Sequence, residues 1–169
     1  MASCWDVLSE PLRVLTPDEA QLVAAIAERI FPATDTPGAV EAGAITYIDW
    51  ALAGDYQALL PLYREGLQEI ERLAQARFGR QFARLSEAEQ DAVLIELEGD
   101  GQGQGRRGSD EGFFQVIRRH VLEGIFGEPR YGGNRDLIGW NLVGFGGQQF
   151  GYEDPYINRT VDLPARADD

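Results

Sequence analysis

The sequence predicts an all-α fold of about five helices, and three observations carry that expectation. Two capping boxes open apolar-periodic runs. Apolar residues recur three and four positions apart through most of the chain up to Phe126. No stretch alternates apolar and polar residues, as a half-buried strand does, over more than a few positions.

The first helix starts at Thr16-Pro17-Asp18-Glu19, where Thr16 caps, Pro17 fits the first turn and Glu19 completes the box. Leu22, Val23, Ile26 and Ile30 then line one face until Phe31-Pro32 stops the run. Residues 33–39 are turn chemistry, with Asp35, Pro37 and Gly38. A shorter helix follows, with Val40, Ala44, Ile45, Ile48 and Leu52 on its face. The longest is built on Tyr56, Leu59, Leu60, Tyr63, Leu67, Ile70 and Leu73, and Gly79 supplies its left-handed stop. Pro61 falls in its first turns, which places the true start several residues after Tyr56. Ser86-Glu87-Ala88-Glu89 opens a fourth helix, to about Glu98. Residues 99–109, with five glycines plus Arg106 and Arg107, read as a surface loop. Phe113, Phe114, Ile117, Val121, Ile125 and Phe126 define the fifth helix.

The character then changes. Nine glycines between Gly124 and Gly151 interleave with Phe126, Tyr131, Trp140, Phe145 and Phe150. Each glycine inside a helix costs about 1 kcal/mol relative to alanine, so periodic helix is not expected there. Glycine beside large rings suits a segment packed over its own helices or pressed into a partner. The chain thus reads as a single domain, 1–169, with a helical part over about 15–127. Residues 128–169 form an irregular, partner-wrapping segment that ends in an extended acidic tail beyond Tyr152.

Composition excludes several function classes. There are 28 acids against 15 bases, a net charge of −13, and such a surface repels nucleic acid and anionic membrane. Every base is arginine; without lysine there is no Schiff-base chemistry and no phosphate loop ending in Lys. One cysteine, Cys4, allows neither an internal disulfide nor a cysteine-ligated cluster within the chain. No apolar run nears the roughly 18 residues of a membrane span. The first residues show no basic region and no apolar core, so the chain reads as cytoplasmic, or periplasmic if a twin-arginine presequence has been removed.

Candidate chemistry in the chain itself is thin. His120, after Arg118-Arg119, has the pKa range of a general base but no nucleophile motif around it, which favours packing. Asp35, Glu41 and Asp49 are oxygen donors without the spacing of a calcium loop; capping and turn bonding account for Asp35 better. Gly144-Phe145-Gly146-Gly147 faintly echoes a dinucleotide fingerprint, but no strand precedes it. No catalytic, cofactor-binding or metal-binding residue is therefore assigned.

The run Phe126-Gly127-Glu128-Pro129-Arg130-Tyr131-Gly132-Gly133-Asn134, followed by Trp140 and Gly144-Phe145-Gly146-Gly147, closely resembles the gluconate 2-dehydrogenase subunit 3 family. So does the block Phe31 to Ala39, with Ala42-Gly43 and Ile48-Asp49 behind it, and the order of Phe82 to Leu85 and Phe113-Phe114 agrees. The resemblance covers about residues 15 to 150.

The resemblance implies a role rather than a reaction. Family members are small subunits of dehydrogenases whose large, glucose–methanol–choline-like subunit holds FAD, often with an iron–sulfur cluster, and oxidises sugars, sugar acids or glycosides. Many such assemblies add a multihaem cytochrome c as electron acceptor. The small subunit assists maturation and commonly carries a twin-arginine signal, which is not seen before Leu15. The expectation is a non-catalytic small subunit, obligately hetero-oligomeric, that binds, stabilises and helps mature its partner. Two alternatives stand beside it: a transient helical chaperone for the same flavoprotein, and an independent small enzyme using His120. The residues expected at the partner interface are Arg130, Tyr131, Gly132, Gly133, Asn134, Arg135, Trp140 and Phe145. For Arg130 and Arg135, internal pairing with Glu128 and Asp136 is an equal alternative.

Overall fold

The computed structural model describes residues 11–99 and 112–146. Among them the chain is all-α, without strands: α1 (Pro17–Ile30), α2 (Ala44–Ala53), α3 (Leu60–Phe78), α4 (Glu87–Gly99), α5 (Phe113–Phe126) and α6 (Ile138–Val143). The stretch around Arg106 and Arg107, Cys4, Gly147 and the tail beyond Tyr152 lie outside the described residues.

Local signals set most boundaries. At Thr16 both halves of the capping box form: the Thr16 hydroxyl accepts from the Glu19 N–H, and Glu19 accepts from the Thr16 N–H at 2.8 Å. Helix α3 starts at Leu60 rather than Tyr56, after a 3-10 turn at Gln57–Leu59, because Pro61 fits only a first turn. It ends at Gly79, whose φ of 67° is the expected left-handed stop. At α4, Glu89 accepts from both the N–H and the hydroxyl of Ser86, each at 2.8 Å. Val40 precedes α2, which starts at Ala44 once Gly43 has turned the chain at φ 80°.

Helix α6 departs from the sequence reading, which placed irregular chain there. Its one interior glycine, Gly139, sits where a Cβ would strike the Ile125 carbonyl, so close approach to α5 offsets the cost of glycine. Gly144 ends the helix with φ 67°.

The core is continuous. Val23, Ile26, Ile48, Leu52, Ile70, Val93, Ile117, Val121 and Ile125 are fully buried and come from five helices. The most extensive packing is between α2 and α5, where Gly124 lies against Ala44 and Tyr47. Gly66 likewise lets α3 approach Phe113, whose ring meets Tyr63 edge-on at 5.3 Å. Arg29 ties α1 to α4 through paired bonds to Asp91 at 2.8 and 3.0 Å. Asp91 is the main reason the Arg29 pKa is raised.

Candidate functional site

The two sequence blocks meet at one end of the bundle. Phe31 meets Phe126 edge-on at 5.9 Å, and the Arg135 N–H donates to the Ala42 carbonyl at 2.9 Å. The Gly43 backbone lies beside the Gly132 carbonyl, and Gly132, with φ 93°, packs against the Trp50 ring and Thr46. Gly133 sits on the Gly124 carbonyl with no room for a Cβ. Glycines 43, 124, 132, 133 and 139 thus knit α2, α5, the 128–137 connection and α6 together at backbone distance.

Asn134 is the centre of this knot, fully buried. Its N–H donates to the Gly124 carbonyl (2.6 Å) and its side-chain amide to the Gly127 carbonyl (2.8 Å). Its side-chain oxygen accepts from the N–H of Gly139 at 2.9 Å and, more weakly, of Trp140 at 3.4 Å. The Trp140 indole donates to the Phe126 carbonyl at 2.8 Å. A helix leaves its last carbonyls without intrahelical donors, and here the Asn134–Trp140 stretch supplies donors to those of Gly124, Phe126 and the C-cap Gly127. The connection is strained for this purpose: Asn134, Asp136 and Leu137 have φ of 45°, 53° and 59°. For residues other than glycine, that region costs about 1–2 kcal/mol each.

The eight residues expected at a partner surface therefore separate. Gly133 and Asn134 lie inside the chain and hold the loop's shape. Gly132 is half-buried against Trp50, and Trp140 is half-buried with its indole bonded inward. The half-buried Arg135 is fixed by its backbone on Ala42. Arg130 is exposed, pairs with Glu128 at 2.5 Å and stacks over Tyr131 at 4.9 Å. Tyr131 and Phe145 face outward, 51% and 49% exposed. Phe145 also meets Trp140 edge-on at 4.9 Å. Leu137, Leu142 and Val143 are further exposed apolar residues at this end, Val143 at 63%. The sequence reading missed them because α6 was not expected; without a helix, their spacing in Leu137-Ile138-Gly139-Trp140-Asn141-Leu142-Val143 carries no face.

A cleft of about 550 Å³ opens beside the knot, lined by Arg13, Tyr47, Trp50, Asp55, Arg130 and Tyr131 among others. Arg13 sits over Trp50, its guanidinium carbon 3.7 Å from the ring centroid. The N–H groups of Arg13, Val14 and Leu15 all donate to Asp49, at 2.6, 3.0 and 2.8 Å. This buried carboxylate on α2 therefore fixes the bend that leads into α1, which leaves the candidate calcium reading of Asp49 without support. Trp50 and Tyr47, three residues apart on α2, form a second stripe beside the Ile45-Ile48-Leu52 face, a signal the sequence does contain.

Behind the cleft runs an internal polar chain. The Tyr47 and Tyr56 hydroxyls donate to Glu123 at 2.8 and 3.4 Å. Burial and the Glu123 carboxylate push the Tyr47 phenol well above its usual pKa. Tyr56 stacks on His120 at 4.5 Å, and His120 Nδ1 lies 2.9 Å from the Tyr63 hydroxyl. His120 is fully buried among core side chains, behind Tyr56 and not itself among the residues lining the cleft. Desolvation in that core drives the Tyr63 pKa well up.

Among the described residues, no three His, Cys, Asp or Glu side chains are grouped to hold a metal ion. The Gly144 turn follows a helix rather than a strand, so it does not build a dinucleotide loop. No helix among the described residues is long and apolar enough to cross a membrane.

The family model described as gluconate 2-dehydrogenase subunit 3 matches residues 17–147, and the chain belongs to that family. Neither the comparison with curated proteins nor that with solved structures returns a match.

Proposed function

From membership of that family, which makes the chain a small subunit of a dehydrogenase complex, we propose that it binds, stabilises and helps mature a large FAD-dependent subunit without reacting itself. The partner is of the glucose–methanol–choline-like kind and oxidises a sugar, sugar acid or glycoside. FAD, with or without an iron–sulfur cluster, belongs to that partner, and a cytochrome c receives the electrons where the assembly has one. The docking face is the glycine-knit end, with Tyr131, Leu137, Val143 and Phe145 presented outward.

The observation that carries this reading is Leu137. A leucine is 43% exposed here on left-handed backbone, so an apolar side chain stands on the surface in a geometry that suits glycine or asparagine. Local rules broken together at one surface point to a function for that surface. The buried Asn134 knot then serves to hold the face rigid, as a preorganised interface needs.

Co-expression of the chain with the large subunit, then affinity purification through this chain, tests the reading. The expected result is a yellow complex with this chain and the flavoprotein in a constant ratio through gel filtration. A flavoprotein that is fully loaded, active and stable without this chain contradicts it. The chaperone alternative predicts loading that depends on this chain, followed by its loss from the mature enzyme.

A further inference from the structure

The cleft beside the knot has a chemistry of its own. Arg29, Arg64, Arg72, Arg77, Arg80, Arg119 and Arg130 each lie within ion-pair distance of a carboxylate, as expected where acids outnumber bases 28 to 15. Arg13 instead places its guanidinium carbon over the Trp50 ring and has no carboxylate partner among the described residues. A guanidinium stacked by its face keeps its N–H groups pointing outward in its own plane, the geometry that grips a carboxylate by two parallel bonds. Arg13 is also held at its base, since its backbone N–H is bonded to the buried Asp49. Little freedom is therefore lost on capture. Across the same cleft Arg130 is stacked on Tyr131, with only its Nε side engaged by Glu128.

The rings do not offer a stacking platform for a sugar. Trp50 is already covered by Arg13 and by the Gly132 backbone, and the Tyr47 and Tyr56 hydroxyls are turned to Glu123. What the cleft presents is guanidinium edges over an aromatic floor.

We infer that this cleft receives an acidic segment of the large dehydrogenase subunit, whose carboxylates are gripped by Arg13 and Arg130. The inference rests on the docked-subunit reading above and adds a second, electrostatic contact beside the apolar face. Charge complementarity selects the occupant: this chain carries −13 overall, so a cationic pair at one cleft distinguishes one acidic partner segment from the rest of an acidic surface. Asp55, the carboxylate among the lining residues, repels an occupant's acid and so favours the arginine side.

The test titrates the chain and its variants against the purified large subunit at low and high salt. Arg13→Glu should raise the dissociation constant by about tenfold or more at low salt, with a smaller ratio at high salt. Arg13→Lys, which keeps the charge but loses the planar fork, should fall between the two. Arg84→Glu, an exposed charge reversal elsewhere, should stay within about twofold of the unaltered chain. Unchanged thermal unfolding of the Arg13→Glu chain would assign the loss to binding. If Arg13→Glu binds no worse than Arg84→Glu while Val143→Glu abolishes binding, the acidic-segment inference fails and the docking face stands. If the unaltered chain does not bind the large subunit at all, both fail.

Discussion

The Tyr63 hydroxyl and His120 Nδ1 lie 2.9 Å apart, and both side chains are fully buried. The pair joins α3 to α5 inside the core, where the imidazole is closed off from solvent. His120→Gln should therefore leave turnover per bound flavin unchanged in the complex. It should destabilise the chain by about 1–3 kcal/mol, since the stacking on Tyr56 and the bond to Tyr63 are disturbed. Thermal unfolding and steady-state assays read the two effects separately. A hundredfold fall in turnover at normal assembly would return His120 to the list of catalytic groups.

The Asn134 side chain bonds the Gly127 carbonyl at the C-cap of α5 and the Gly139 N–H of α6. Asn134→Ala leaves the Gly127 carbonyl and the Gly139 N–H without those bonds, at a cost of about 1–3 kcal/mol for each group that stays buried. Gly133→Val is harsher, because its side chain would enter the Gly124 carbonyl, and overpacking of this kind costs on the order of 3 kcal/mol or more. Both variants should lower the melting temperature of the chain, and Gly133→Val should lower it more. An unchanged melting temperature in Gly133→Val would mean that the 128–137 connection does not pack on α5.

Most of the fold was legible in the sequence because its signals are local. Thr16, Pro17 and Glu19 fix the start of α1, Pro61 the start of α3 and Gly79 its end, each through chemistry within one turn. The knot was legible only as a motif. Nothing in the spacing of Tyr131 to Asn134 shows that Asn134 turns inward to the ends of α5, because that depends on residues seven to ten positions earlier arriving at the same place. Helix α6 was hidden for a related reason. Its glycine cost is offset by a tertiary contact with Ile125, and propensity does not contain tertiary contacts. Arg13 was missed because its role comes from Trp50, 37 residues away, and from Asp49 beneath it.

Leu137 separates stability from binding. Leu137→Asn places a residue that tolerates left-handed geometry where leucine is strained, and removes an exposed apolar side chain. The isolated chain should gain about 0.5–1 kcal/mol, while its affinity for the large subunit should fall. Denaturant unfolding and a binding titration check the pair of effects. A stabilised variant with full affinity would remove Leu137 from the docking face.

Glu89 gives a pH signature at the start of α4. Its carboxyl is held below the usual range, first by the Ser86 N–H, then by the Ser86 hydroxyl and by Arg80. A carboxylate with a depressed folded pKa stabilises above its unfolded pKa, and that contribution is lost as pH falls through the folded value. Glu89→Gln should therefore lower the melting temperature near neutral pH, and the gap should close in acid below the depressed pKa. Paired melting curves across the acid range test this; a gap that widens toward acid would contradict it.

On the proposal above, the glycine-knit end is the dehydrogenase-docking face of a chain that does no chemistry. The most direct test is co-purification of the large subunit with a Val143→Glu, Phe145→Ser chain, together with turnover per bound flavin in whatever complex is recovered. Both side chains are exposed, so the variant should melt like the unaltered chain. Recovered complex should fall at least about tenfold, from losses of more than about 1.4 kcal/mol at the interface, with normal turnover in the fraction that assembles. Full recovery of a complex with sharply reduced turnover would contradict the proposal, and would place this end of the chain at the reaction instead of at the interface.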